Sequence, residues 1–154
     1  MIGCEHPDEY QASEEKNKGD RLSADLCLIN GKTPKHFIRG LLEIPLLLDG
    51  ADDSPVVLTW SLWVAVSPSD FERVVAGWSR PEVLIVSGTL ANNLPTYKDT
   101  AGTPATLTTR GSLRPLVTIT KSTDNTLMDH HTKGMQKEQL AAALTAVYEA
   151  ERSR

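Results

Sequence analysis

Residues 56–66, Val-Val-Leu-Thr-Trp-Ser-Leu-Trp-Val-Ala-Val, constrain this chain more than any other stretch. β-Branched and aromatic side chains dominate it, which favours a strand. Successive side chains of a strand face opposite ways. Trp60, Leu62, Val64 and Val66 therefore line one face, and Val57, Thr59, Ser61, Trp63 and Ala65 the other. Both faces are largely apolar. Such a strand has to be covered on both sides, so it belongs at the centre of the fold. Aromatic residues make up only 5% of the chain, so each of the three tryptophans carries unusual weight in the core.

The flanks supply the rest of the architecture. Residues 26–29 are a short apolar run ended by Asn30-Gly31, a hairpin signal, and residues 36–42 answer as the partner strand. Pro45 ends that strand or marks an edge, and residues 49–55 read as a loop. Ser67-Pro68-Ser69-Asp70 is a helix start, with Ser67 as N-cap and Pro68 at the first helical position. Phe71, Val74, Val75 and Trp78 follow at helical spacing, and the helix stops before Pro81. Residues 82–90 form a strand interrupted by Gly88, and 92–95 a loop. Residues 105–110 and 116–121 form a hairpin joined across 111–115. Residues 136–152 close the chain as a helix with Leu140, Leu144, Val147 and Tyr148 on one stripe. The order predicts an α+β fold, a mostly antiparallel sheet with a mid-chain helix and a C-terminal helix. With no repeat, linker or low-complexity tract, residues 1–154 are expected to form one domain, the first 20 or so poorly ordered.

Charge and cysteine usage exclude several classes. Twenty acidic residues against sixteen basic ones give a net charge of −4, without the clustered Lys and Arg that a nucleic-acid backbone requires. No apolar run reaches the eighteen residues of a membrane span. The first residues lack the basic and apolar regions of a signal peptide. Two cysteines are too few for a disulfide framework. A soluble protein of the reducing cytoplasm is the expectation.

Chemistry is harder to find. Cys27 sits between apolar neighbours, where a thiol behaves as a small inert hydrophobe rather than a nucleophile. Cys4 and His6 resemble half of a metal site, but zinc wants four ligands. Asp129-His130-His131 reads as a polar loop, and the two adjacent imidazoles would point apart. Neither a metal nor a cofactor is expected. Arg39 is more informative, since it interrupts the otherwise apolar run Phe37-Ile38-Arg39-Gly40-Leu41-Leu42. A buried guanidinium has to be paired, and Asp25 and Glu43 are the nearest carboxylates in sequence. It is either a structural ion pair or an anion clamp, and Arg114, before Pro115, admits the same two readings. His36 either satisfies a hydrogen bond at the strand's end or pairs with Asp25 or Cys27 across the hairpin. No phosphate loop, nucleophile elbow or zinc-protease helix is present.

These pieces, taken in order, resemble the bacterial domain of unknown function 2199 family. The resemblance rests on Asp25 and Cys27, His36 to Gly40, Glu43-Ile44-Pro45, and Trp60, Trp63, Val64, Ser67 and Phe71. It continues through Asn93-Leu94-Pro95 with Tyr97, Arg114-Pro115-Leu116, Thr123-Asp124, Leu127 and Gly134. The family pattern begins with a Cys-x-x-Cys-Gly knuckle suited to zinc, which this sequence lacks; Asn125 also stands where the family favours His. The resemblance implies a fold, removes a cofactor and supplies no reaction.

Two functions follow as expectations. The first is a non-catalytic protein-binding module with a protein partner, an immunity or antitoxin-like protein among the forms it could take. The second is a small-ligand binder or enzyme with a pocket around Arg39, His36 and Asp25, with Arg114 beside it. Trp60 or Trp63, if exposed beside Arg39, would mark an interface hot spot. No residue is assigned a catalytic role.

Overall fold

A computed structural model describes residues 2–12, 21–30, 33–47, 56–97, 99–120 and 125–153. Gly31, the expected loop over 49–55, the polar residues 13–20 and the Thr123-Asp124 pair lie outside the described residues. In chain order the elements are β1 (Ile2–Gly3), α1 (Asp8–Ala12), β2 (Arg21–Leu22), β3 (Leu26–Ile29), β4 (Lys35–Leu47), β5 (Val57–Val66) and α2 (Pro68–Ala76). They continue as β6 (Ile85–Leu90), β7 (Pro104–Arg110), β8 (Leu113–Ile119), α3 (Asn125–Lys133), β9 (Met135–Gln136) and α4 (Lys137–Arg152).

β5 is central, as its two apolar faces require. One edge runs antiparallel to β4 from His36↔Val66 to Pro45↔Val57. The other edge pairs with β6 at Val64↔Leu90 and, further along, with β1 at Ile2↔Trp60. β6, β7 and β8 continue as an antiparallel meander, and β8 returns to β4 at Leu41↔Leu116. The five strands β4 to β8 thus close on themselves. With an odd number of strands in an antiparallel meander, the closing pair has to be parallel, and it is. β3 and β2 extend β4 on the outside of the ring. The fold is α+β with a mostly antiparallel sheet.

The ring encloses Ile38, Leu42, Leu62, Val64, Val86, Leu90, Leu107 and Val117, all buried. Space inside is short where β4 crosses β8. A Cβ built on Gly40 would lie 2.6 Å from Val117 Cγ2 and 2.8 Å from Leu107 Cδ2, so any larger residue has to push those side chains aside. Trp60 faces this core with 1% of its surface exposed. Trp63 faces the opposite way, into a second cluster with Phe37, Cys27 and Ala91, and is 0% exposed.

Three local differences from the sequence expectation have physical causes. Pro45 does not end its strand: β4 runs on to Leu47. Leu46 N–H donates to Val56 O, so the neighbouring Pro45 directs its missing donor away from β5 and breaks no bond there. β8 begins at Leu113 and includes Pro115, which shortens the expected turn. Asp129-His130-His131, expected as a polar loop, lies within α3. α2 begins as its sequence signals predict, with Ser67 Oγ accepting from Asp70 N–H at 3.1 Å and Pro68 at its first turn.

Candidate functional site: a clasp around the N-terminal segment

Alternation along β4 decides which of the expected site residues can meet. Arg39 shares the outer face with Phe37 and Trp63, whereas His36 shares the barrel face with Ile38. The His36 ring packs at 4.9 Å between centroids on Phe71 of α2, and its buried Nδ1 has no hydrogen-bond partner among the described residues. His36 and Arg39 therefore project from opposite sides of one strand and share no pocket. Trp60 and Trp63 are likewise separated by β5, and neither is exposed beside Arg39.

Arg39 is held on all sides by the chain itself. Its Nε donates to Ser61 Oγ at 2.8 Å, Nη1 to Ala24 O at 3.1 Å and Nη2 to Cys4 O at 2.8 Å. The guanidinium lies over the Trp63 ring, 5.5 Å from its centroid, within cation–π range. Burial, and after it the positive charge of Arg114, pull the Arg39 pKa below its ordinary value, while Asp25 pulls the other way. The Asp25 carboxylate is paired elsewhere, with Arg114 Nε at 2.8 Å. Its link to Arg39 is a backbone one, Arg39 N–H to Asp25 O at 2.9 Å. The Arg114 carbonyl in turn accepts from Arg110 Nε and Nη2.

The object of this arrangement is the segment that enters at β1. Cys4 N–H donates to Ser61 O at 2.8 Å, and the Cys4 carbonyl accepts from both Arg39 Nη2 and Trp63 Nε1. Asn92 donates from Nδ2 to His6 O and to Asp8 Oδ1, both at 3.0 Å, while its Oδ1 accepts from Trp63 N–H. Asp8 Oδ2 takes the Asn93 N–H at 2.7 Å, and Asp8 N–H donates to Ala91 O. Thr100 Oγ donates to Asn92 O and accepts from Leu94 N–H, fixing the 91–95 loop. Asn92 and Thr100 are fully buried partners that sequence reasoning passed over. The available signal was the adjacent amide pair Asn92-Asn93 directly after a strand, since a carboxamide can donate and accept at once.

Elsewhere, His130 of α3 meets the Tyr97 hydroxyl through Nδ1, and His131 Nδ1 meets Glu43 O at 2.9 Å. The two adjacent rings thus reach different partners. Among the described residues no group of three or more His, Cys, Asp or Glu is arranged to hold a metal ion. No helix among them is long and apolar enough to cross a membrane.

A closed five-stranded barrel that clasps its own N-terminal segment through buried polar side chains defines the structural class. The chain belongs to the bacterial family described as "Uncharacterized protein conserved in bacteria (DUF2199)", whose pattern matches residues 1–135. That span includes the whole barrel and the clasp, and it stops before α4. No curated protein and no solved structure matches the chain significantly.

Proposed function

We propose that this chain is a non-catalytic protein-binding module. One observation carries the reading: the polar side chains at its most distinctive site hold the backbone of an extended segment. Arg39, Trp63 and Asn92 donate to the carbonyls of Cys4 and His6, which is the chemistry of polypeptide recognition. Turnover of a small molecule instead needs a nucleophile or acid–base pair converging on a reacting atom. Arg39 and His36 lie on opposite faces of β4 and do not converge. The acidic balance of the chain, −4 overall, suits a partner with a basic surface. An immunity or antitoxin-like protein that masks such a partner is one form the module takes.

Affinity purification of the tagged full chain from its bacterial host tests this reading. The expected result is one protein recovered in stoichiometric amount and released by salt, as a charged interface requires. Recovery of the chain alone under every growth condition would count against it.

A further inference from the structure

The two sides of the clasp are built differently. On the groove side Ser61, Trp63 and Asn92 are buried with the segment in place. Asn92 is pinned by Trp63 N–H and Thr100 Oγ, and Arg39 by Ser61 Oγ and Ala24 O. The segment side is held by its backbone, by the Asp8 carboxylate, and by Ile2, Cys4 and Tyr10, which pack only partly buried against the core. Of residues 2–10 only Pro7 is buried, and the strand pairing amounts to Ile2↔Trp60 and Gly3↔Ser61. A cleft of about 70 Å³ lies between the segment and α4, lined by Glu5 and His6 on one side and Val147, Ala150 and Glu151 on the other.

Elements with little apolar burial open at low free energy. If residues 2–8 lift away, donors on Arg39, Trp63, Asn92 and Asn93 lose the acceptors they have on Cys4, His6 and Asp8. Unpaired buried donors are costly, so the empty groove demands an equivalent ligand. Its chemistry is set by those donors: extended backbone carbonyls, followed by a carboxylate for the Asn92 side chain and the Asn93 N–H.

We propose that residues 2–8 are an exchangeable strap, and that the groove beneath binds an extended segment of a partner protein bearing an acidic residue where Asp8 now sits. This rests on the protein-binding reading above and names its mode, addition of a strand to the edge of β5 that β1 now occupies. The strap occupies in cis the site that the partner's segment takes in trans.

Two measurements on the full chain test it. In amide exchange followed by NMR, the Cys4 and Asp8 amides and the Trp63 indole N–H should open together, at least a hundredfold more often than the β4–β5 ladder. A fluorescent peptide with the sequence of residues 2–10 should then bind in trans to the chain carrying Asp8→Ala, whose own strap is weakened. The same peptide with alanine in place of its aspartate should bind about tenfold more weakly or worse, as loss of a charge-assisted hydrogen bond predicts. Strap amides that exchange only with the β4–β5 ladder overturn the proposal. So does failure of the peptide to bind an Asp8→Ala chain with a native circular dichroism spectrum. Should Asp8→Ala not fold, the exchange data on the natural sequence decide alone. These outcomes are separable from those of the affinity purification, because a partner could be captured by another face while the strap stays shut.

Discussion

Arg39 and Trp63 donate to the same atom: Arg39 Nη2 and Trp63 Nε1 reach the Cys4 carbonyl oxygen at 2.8 and 3.0 Å. One carbonyl has two lone pairs, and both are filled from residues opposite each other on neighbouring strands. The guanidinium also lies over the indole, so the two side chains orient each other before either meets the segment.

Replacement of Arg39 by lysine therefore removes more than it keeps. A single ammonium cannot span Ser61 Oγ, Ala24 O and Cys4 O, which Arg39 reaches with three separate nitrogens. The position of the guanidinium over the Trp63 ring is lost as well. Arg39→Lys is expected to lower the unfolding free energy by about 2–3 kcal/mol, read as a reduced urea midpoint at unchanged slope. An unchanged midpoint would mean that the fork geometry contributes little.

Asn92 uses its amide in both directions, accepting from Trp63 N–H while donating to His6 O and Asp8 Oδ1. Asn92→Asp keeps the acceptor, loses the donor and sets a second carboxylate against Asp8. Asn92→Ala leaves the Trp63 N–H buried and unpaired. Each variant is expected to cost about 1–3 kcal/mol. Only the aspartate variant should recover part of that loss as salt rises from low to molar concentration, because only its cost includes like-charge repulsion. Equal salt dependence of the two variants would refute the close approach of the residue 92 side chain to the Asp8 carboxylate.

Gly40 and Gly88 are both too crowded for a side chain, but they differ in what crowds them. At Gly40 an added Cβ meets the methyl groups of Val117 and Leu107, which can shift. At Gly88 it would lie 2.2 Å from the backbone oxygen of Ala65, where β5 and β6 hold each other. Overpacking a core costs about 1–3 kcal/mol when side chains can adjust. Gly40→Ala is expected in that range and Gly88→Ala above it. Val117→Ala should partly rescue the first and leave the second untouched, as thermal unfolding of the double variants would show.

What could be read in advance follows the distinction between side-chain and backbone information. The central strand was legible because Trp60 and Trp63 on opposite faces need two apolar layers. α2 was legible because Ser67 and Pro68 are local signals. α3 was not: its apolar residues are only Leu127 and Met128, and it is fixed by distant partners, His130 to Tyr97 and His131 to Glu43 O. For Arg39 the sequence suggests an ion pair or an anion clamp, whereas its guanidinium donates to a hydroxyl and two backbone carbonyls, and Asp25 pairs with Arg114. The partners of Arg39 are mainly carbonyls, and every residue carries a carbonyl, so no sequence pattern could name Cys4 or Ala24. The clasp was invisible for the same reason, since it recognises a backbone.

Asp25 and Arg114, by contrast, form a pair whose weight should be small. Their side chains are 35% and 29% exposed, so water and salt screen them and the ion pair is worth about 1 kcal/mol or less. Arg114 also opposes Arg39, whose pKa its charge helps to depress. Arg114→Gln thus loses one attraction and relieves one repulsion, and the two partly cancel. The expected change in unfolding free energy is below about 1 kcal/mol, well under that of Arg39→Lys. A double-mutant cycle with Asp25→Asn should give a coupling of the same small size that fades in high salt. A coupling several times larger, insensitive to salt, would place the Asp25–Arg114 pair, and not Arg39, at the energetic centre of the outer face.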